Sequence, residues 1–100
     1  MAVVEVSIIP LGTKTPSISK YVARALRVLR QEKDIKYELT SMGTIMEGDL
    51  GEILRVVKNM HEGIFDVEVM RVVTTIKIDD RRDKTLSMSG KIESLLKLEH

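Results

Sequence analysis

Val67–Asp79, VEVMRVVTTIKID, is the stretch whose reading decides the fold. It predicts a strand about twice the average length. One face would carry Met70, Val72, Thr74, Ile76 and Ile78; the other would carry Val67, Val69, Arg71, Val73, Thr75 and Lys77. A sheet in a small α+β domain usually has one face under helices and one wet face. Here the second face is too apolar for water, so another subunit or a ligand is expected to cover it.

Upstream, Val3–Ile9 reads as a first strand, with Val4, Val6 and Ile8 alternating against Glu5 and Ser7, and Pro10-Leu11-Gly12 as its break. Thr15 as N-cap and Pro16 at the first helical position start a helix. Its apolar stripe is Ile18, Tyr21, Val22, Ala25, Leu26 and Leu29. The basic residues Lys20, Arg24, Arg27, Arg30 and Lys33 read as a solvated face rather than a phosphate site. Ile35–Met42 alternates again, Gly43 punctuates, and Thr44–Glu47 forms a short partner strand ending at Gly48.

Asp49 with Glu52 resembles a capping box, opening a second helix with the stripe Ile53, Leu54, Val57 and Met60 and a stop at Gly63. After the long strand, the charged turn Asp79–Lys84 leads to a last helix from about Ser87, with Ile92, Leu95 and Leu96 on its apolar side. The order is βαββαβ plus a C-terminal helix. That is the ferredoxin-like α+β sandwich, a four-stranded antiparallel sheet with both main helices on one face.

Composition excludes much. One hundred residues make one domain. Sixteen basic against 15 acidic side chains give no electrostatic case for nucleic acid or an anionic membrane. The absence of cysteine removes a disulfide scaffold, a thiolate nucleophile and a Cys-based zinc site, and fits a cytoplasmic protein. No apolar run approaches the roughly 20 residues needed to span a bilayer. Leu98-Glu99-His100 reads as the start of a vector-encoded histidine tag, leaving residues 1–97 as the domain and His61 as its native histidine. His61, near a helix end, reads as a partner of the helix dipole rather than a base or metal ligand. The carboxylates of Asp79–Lys84 read as turn ion pairs rather than a cation site, and no phosphate loop or nucleophile elbow is present.

The segment Met42–Gly48 is a hairpin with a glycine bend, yet Thr44 and Glu47 put a hydroxyl and a carboxylate on a short strand. With Glu5, Ser7, Thr40, Arg71 and Thr75 they place several polar groups on an aliphatic sheet. Such a surface is either a small-molecule site or a set of groups that satisfy one another across an oligomer interface.

Three segments in this order and spacing carry a family resemblance. They are Ile8-Ile9-Pro10-Leu11-Gly12; Met42-Gly43-Thr44 with Glu47-Gly48; and Thr74-Thr75-Ile76-Lys77-Ile78-Asp79-Asp80-Arg81. Together they resemble the thiamine-binding YkoF-like family, in its single-domain branch. The resemblance implies a ferredoxin-like domain that forms dimers and tetramers through its sheet. It also implies binding of thiamine or its hydroxymethylpyrimidine portion in the cytoplasm, without known catalysis; no cofactor or metal is expected. An aminopyrimidine would suit Thr or Ser hydroxyls and a carboxylate such as Glu47 or Glu5. A thiazolium cation would suit a carboxylate and an aromatic face, for which Tyr37 is best placed. The expected ligand-binding set is Glu5, Ser7, Tyr37, Thr40, Thr44, Glu47, Arg71, Thr74 and Thr75. The alternative is a structural or regulatory interaction module with no small ligand. An enzyme using His61 has little support.

Overall fold

Six elements follow in the order β1 (Ala2–Leu11), α1 (Ser19–Arg30), β2 (Lys36–Thr40), β3 (Gly43–Gly48), α2 (Leu50–Glu62) and β4 (Arg71–Asp80). The sheet order is β2-β3-β1-β4, antiparallel throughout. This is the ferredoxin-like arrangement. The computed structural model describes residues 1–13, 19–83, 92, 93, 95 and 96. The expected helix start at Thr15-Pro16, Lys84 and the tag-like end lie outside the described residues. Of the expected C-terminal helix, Ile92, Glu93, Leu95 and Leu96 are helical and the rest lies outside them.

The core forms where the even-numbered face of β1 meets the helices. Ala2, Val4 and Val6 join Met46 beneath Leu29, Ile53, Val56, Val57 and Met60. Each of the Val, Leu, Ile and Met side chains contributes on the order of 1.5–3 kcal/mol when fully buried. A second cluster gathers Tyr21, Ile64 and Val69. Arg55 links the end of α1 to α2, its guanidinium donating to both oxygens of Glu32 at 3.2 and 2.8 Å and to Glu52 at 2.8 Å.

Five sequence expectations change. The long strand is shorter at its start, because Asp66 builds a turn there. Its Oδ1 accepts from the backbone N–H of Glu68 at 2.8 Å and of Val69 at 2.9 Å, the usual habit of an Asp side chain that competes with regular structure. Val67–Met70 therefore leave the ladder, and strict alternation is lost. Val69 turns inward and is fully buried, while Met70 is 81% exposed. Arg24 fastens the turn to α1, with Nη1 2.9 Å from Asp66 Oδ2 and 3.4 Å from the Ile64 carbonyl.

Pro10 does not break β1, which runs on to Leu11 before Gly12 turns at φ +75°. The β3 register ends at Val6↔Thr44, whereas β4 continues to Leu11↔Arg71. A Cβ on Gly43 would sit 2.5 Å from the Val6 carbonyl oxygen, so that oxygen faces β3. By strand alternation the polar backbone groups of Ile8 and Pro10 face the same way. The N–H that proline lacks thus falls on an edge where no described strand needs it.

In α2 the buried stripe is Ile53, Val56, Val57 and Met60, while Leu54 is 38% exposed. Asp49 caps the helix by accepting from the Glu52 N–H at 3.1 Å. The Glu52 side chain pairs with Arg55 instead of closing a capping box. In α1, Val22 is exposed although the stripe assigned it to the core.

Candidate ligand site

Strand register divides the nine expected ligand residues between two faces. Tyr37, Thr44 and Thr74 lie on the helix side; Glu5, Ser7, Thr40, Glu47, Arg71 and Thr75 lie on the opposite, open side. Thr74 is occupied by α2: its Oγ1 is 2.6 Å from His61 Nδ1, and the His61 ring stands edge-on to Phe65 at 5.4 Å. His61 thus bridges α2 and β4. On the open side Glu5 lies 3.9 Å from Lys77, Glu47 is buried, and Arg71 and Thr75 are exposed.

A cavity of about 540 Å³ opens on the helix side at the end of the sheet. Tyr21, Val22, Ala25 and Leu26 of α1 form one wall, and the β2–β3 hairpin from Leu39 to Thr44 forms another. The end of β1, from Val6 to Pro10, forms a third, with Met60 and Ile64 behind. Ser7, Thr40 and Thr44 of the expected set border it, but by register Thr44 alone of the three lies on the helix side, Ser7 and Thr40 belonging to the open side; Glu5, Tyr37, Glu47, Arg71, Thr74 and Thr75 do not line it.

The hairpin's shape is set locally. Thr40 Oγ1 donates to the Gly43 carbonyl at 2.9 Å and accepts from the Met42 N–H at 3.2 Å. This closes the two-residue turn Ser41-Met42 and holds Thr44 against the cavity. Gly43, at φ +154°, allows the close approach to Val6.

The cavity also meets the overhanging edge of β1. There the N–H and C=O of Ile8 point toward the β3 side with no strand opposite them among the described residues. They form a donor and an acceptor in a mostly aliphatic wall. Sequence reasoning missed them because backbone groups leave no residue signature; the one trace was Pro10 close to Gly12.

A second hollow, of about 520 Å³, lies at the start of α2 and is bounded by Met1, Asp49, Leu50 and Asp80–Asp83. Its charges pair locally: Arg81 with Asp83 at 2.6 Å and Arg82 with Asp80 at 3.2 Å. Among the described residues no group of three His, Cys, Asp or Glu side chains is placed to hold a metal. The Asp66 carboxyl is held below the usual carboxylate range, first by the Glu68 backbone N–H and further by Arg24.

Comparison with known proteins places this geometry in context. A family model described as thiamine-binding protein matches residues 4–96. The chain belongs to the thiamine-binding protein family. Within it, the UPF0045 protein YqgV of Bacillus subtilis is 47% identical over 100 residues, covering 97% of this chain and 96% of that one. The crystal structure of the hypothetical protein MJ1052 from Methanocaldococcus jannaschii superposes with TM-score 0.83 at 45% identity, covering 94% of each chain. A putative thiamine biosynthesis/salvage protein from Thermotoga maritima has the same fold, with TM-score 0.76 at 20% identity over 94% of this chain and 97% of its own.

Proposed function

We propose that this family member binds thiamine, or the hydroxymethylpyrimidine part of it, non-catalytically in the cavity between α1 and the β2–β3 hairpin. The observation that carries the reading is the unpaired Ile8 edge opening into an aliphatic cavity. An aminopyrimidine has ring-nitrogen acceptors and an exocyclic amine donor. The Ile8 N–H and C=O answer these two groups, the Thr44 hydroxyl adds a third polar contact, and Tyr21, Leu26 and Leu39 cover the ring. Mostly apolar walls with a few convergent polar groups are the ordinary form of a small-ligand site. Glu5 and Glu47 lie on the other face of the sheet, so the pyrimidine, rather than the thiazolium cation, is the part this cavity recognises.

The protein is further proposed to act in the cytoplasm as a homo-oligomer that apposes open sheet faces. Support comes from Ile9, Leu11 and Val73, which stand together on that face at 47, 37 and 42% exposure. No described helix is long and apolar enough to cross a membrane.

Calorimetric titration with hydroxymethylpyrimidine and with thiamine tests the binding. Saturable heat below millimolar ligand is expected, tighter for the pyrimidine; no heat at millimolar concentration of either would overturn the reading. Light scattering tests assembly, for which a monomer at micromolar concentration is the contrary result.

A further inference from the structure

The cavity between α1 and the β2–β3 hairpin has a rim and a floor. Val22, Leu39 and Met42, at 46, 51 and 78% exposure, rim it; Tyr21, Met60 and Ile64, each 2% exposed, form its floor. None of the described residues that line it is charged. Two cations flank Tyr21 from outside the lining: Lys20 Nζ and Arg24 Cζ each stand 5.1 Å from the centre of its ring. Both already face carboxylates, Arg24 at 2.9 Å from Asp66 and Lys20 at 3.7 Å from Glu68. Of the three floor residues, Tyr21 alone carries a side-chain oxygen. A buried tyrosine hydroxyl ordinarily finds a hydrogen-bond partner, and this one has none among the described residues. No described side-chain oxygen or nitrogen is both unpartnered and sealed off, so the sliver of Tyr21 left open includes its hydroxyl. The space beside it is the cavity that Tyr21 lines.

We infer that the pyrimidine enters with its hydroxymethyl group inward, against the Tyr21 hydroxyl, so that the cavity takes the free alcohol and rejects its phosphate ester. This rests on the binding reading above and adds the orientation and chemical state of the ligand. A phosphate ester turned to this floor would bring a charge of about −1.5 to −2 among walls that offer no cation. Burying an unpaired charge costs far more than burying a hydroxyl that is hydrogen-bonded. The alcohol needs one donor or acceptor, and a tyrosine hydroxyl is both. The same floor disfavours thiamine, in which that methylene carbon bears the thiazolium cation, because no described carboxylate lines the cavity to receive it.

Calorimetry with three ligands tests this: hydroxymethylpyrimidine, its phosphate ester, and the analogue with a methyl group in place of the hydroxymethyl. On the wild type the ester should bind at least about thirtyfold more weakly than the alcohol, and the methyl analogue roughly three- to tenfold more weakly. Tyr21→Phe should lower affinity for the alcohol by roughly the same three- to tenfold and leave that for the methyl analogue within about twofold. Because the hydroxyl holds no partner in the free protein, the urea midpoint of Tyr21→Phe should match the wild type. An ester that binds within about thirtyfold of the alcohol overturns the inference and leaves the binding reading standing. So does a Tyr21→Phe protein whose affinities for the alcohol and the methyl analogue fall equally, which with a lowered midpoint marks a merely structural role, or do not fall at all. If the alcohol itself gives no heat, the binding reading falls and this inference with it.

Discussion

Gly43 lies against Val6 so closely that a Cβ on it would meet the Val6 carbonyl oxygen at 2.5 Å. That contact seats the β2–β3 hairpin on β1 at the last paired position, Val6↔Thr44, and sets the mouth of the cavity. Gly43→Ala should therefore cost about 1–3 kcal/mol, through backbone displacement and an unfavourable positive φ. Urea unfolding would show it as a lower midpoint at unchanged slope. A midpoint equal to wild type would mean that the hairpin shifts freely.

Thr44→Val keeps the shape of the side chain and removes its hydroxyl. Losing one hydrogen bond to a ligand costs about 0.5–1.5 kcal/mol, so hydroxymethylpyrimidine affinity should fall roughly three- to tenfold. Folding stability should stay within about 0.5 kcal/mol. Thr75→Val, on the open face, should leave affinity unchanged. Equal losses in both variants would move the site away from the cavity.

The Asp66 turn should be sensitive to acid. Its folded pKa is depressed, chiefly by the Glu68 N–H. A depressed carboxyl contributes stability above its unfolded pKa of about 3.9 and loses it as pH falls through the folded value. The stability gap between wild type and Asp66→Asn should be widest above about pH 5 and should narrow steadily below about pH 4. Urea midpoints measured across that range would check it; a gap constant with pH would contradict the assignment.

Adjacent positions on α2 should differ sharply. Ile53 is fully buried and Leu54 is 38% exposed. Ile53→Ala should cost about 2–5 kcal/mol through the cavity it leaves, and Leu54→Ala no more than about 0.5 kcal/mol. Thermal or urea unfolding of the pair would separate them.

Leu54 also shows how far the sequence could be read. Helical spacing located α2, its Asp49 cap and three of its four buried positions, but Leu54 and Val56 both fit a stripe through Ile53, Val57 and Met60. Only the direction from which β1 and β3 approach chooses between them. Strand alternation assigned Val72, Thr74, Ile76 and Ile78 to one face correctly. It failed at Val69, because a hydrogen-bonding Asp66 is indistinguishable in sequence from a charged residue in a strand. The polar residues expected to form one site were chosen by type, and type does not record face: Glu5, Glu47 and Thr75 are separated from Thr44 by the sheet itself. Ser7, Thr40 and Thr44 all border the cavity, but of the three only Thr44 lies on its side of the sheet. The Ile8 edge was hidden because it depends on the β1–β3 register stopping at Val6 while the β1–β4 register runs on to Leu11, a property of register rather than of any side chain.

Amide hydrogen exchange at Ile8 tests the central claim most directly. In the free protein the Ser7 and Ile9 amides, directed at β4, should be protected, and Ile8, at the open edge, should exchange rapidly. Saturating hydroxymethylpyrimidine should slow Ile8 at least tenfold and shift its resonance together with those of Thr40 and Thr44. An Ile8 amide that exchanges equally fast with and without ligand, while ligand is shown to be bound, would contradict recognition at this edge.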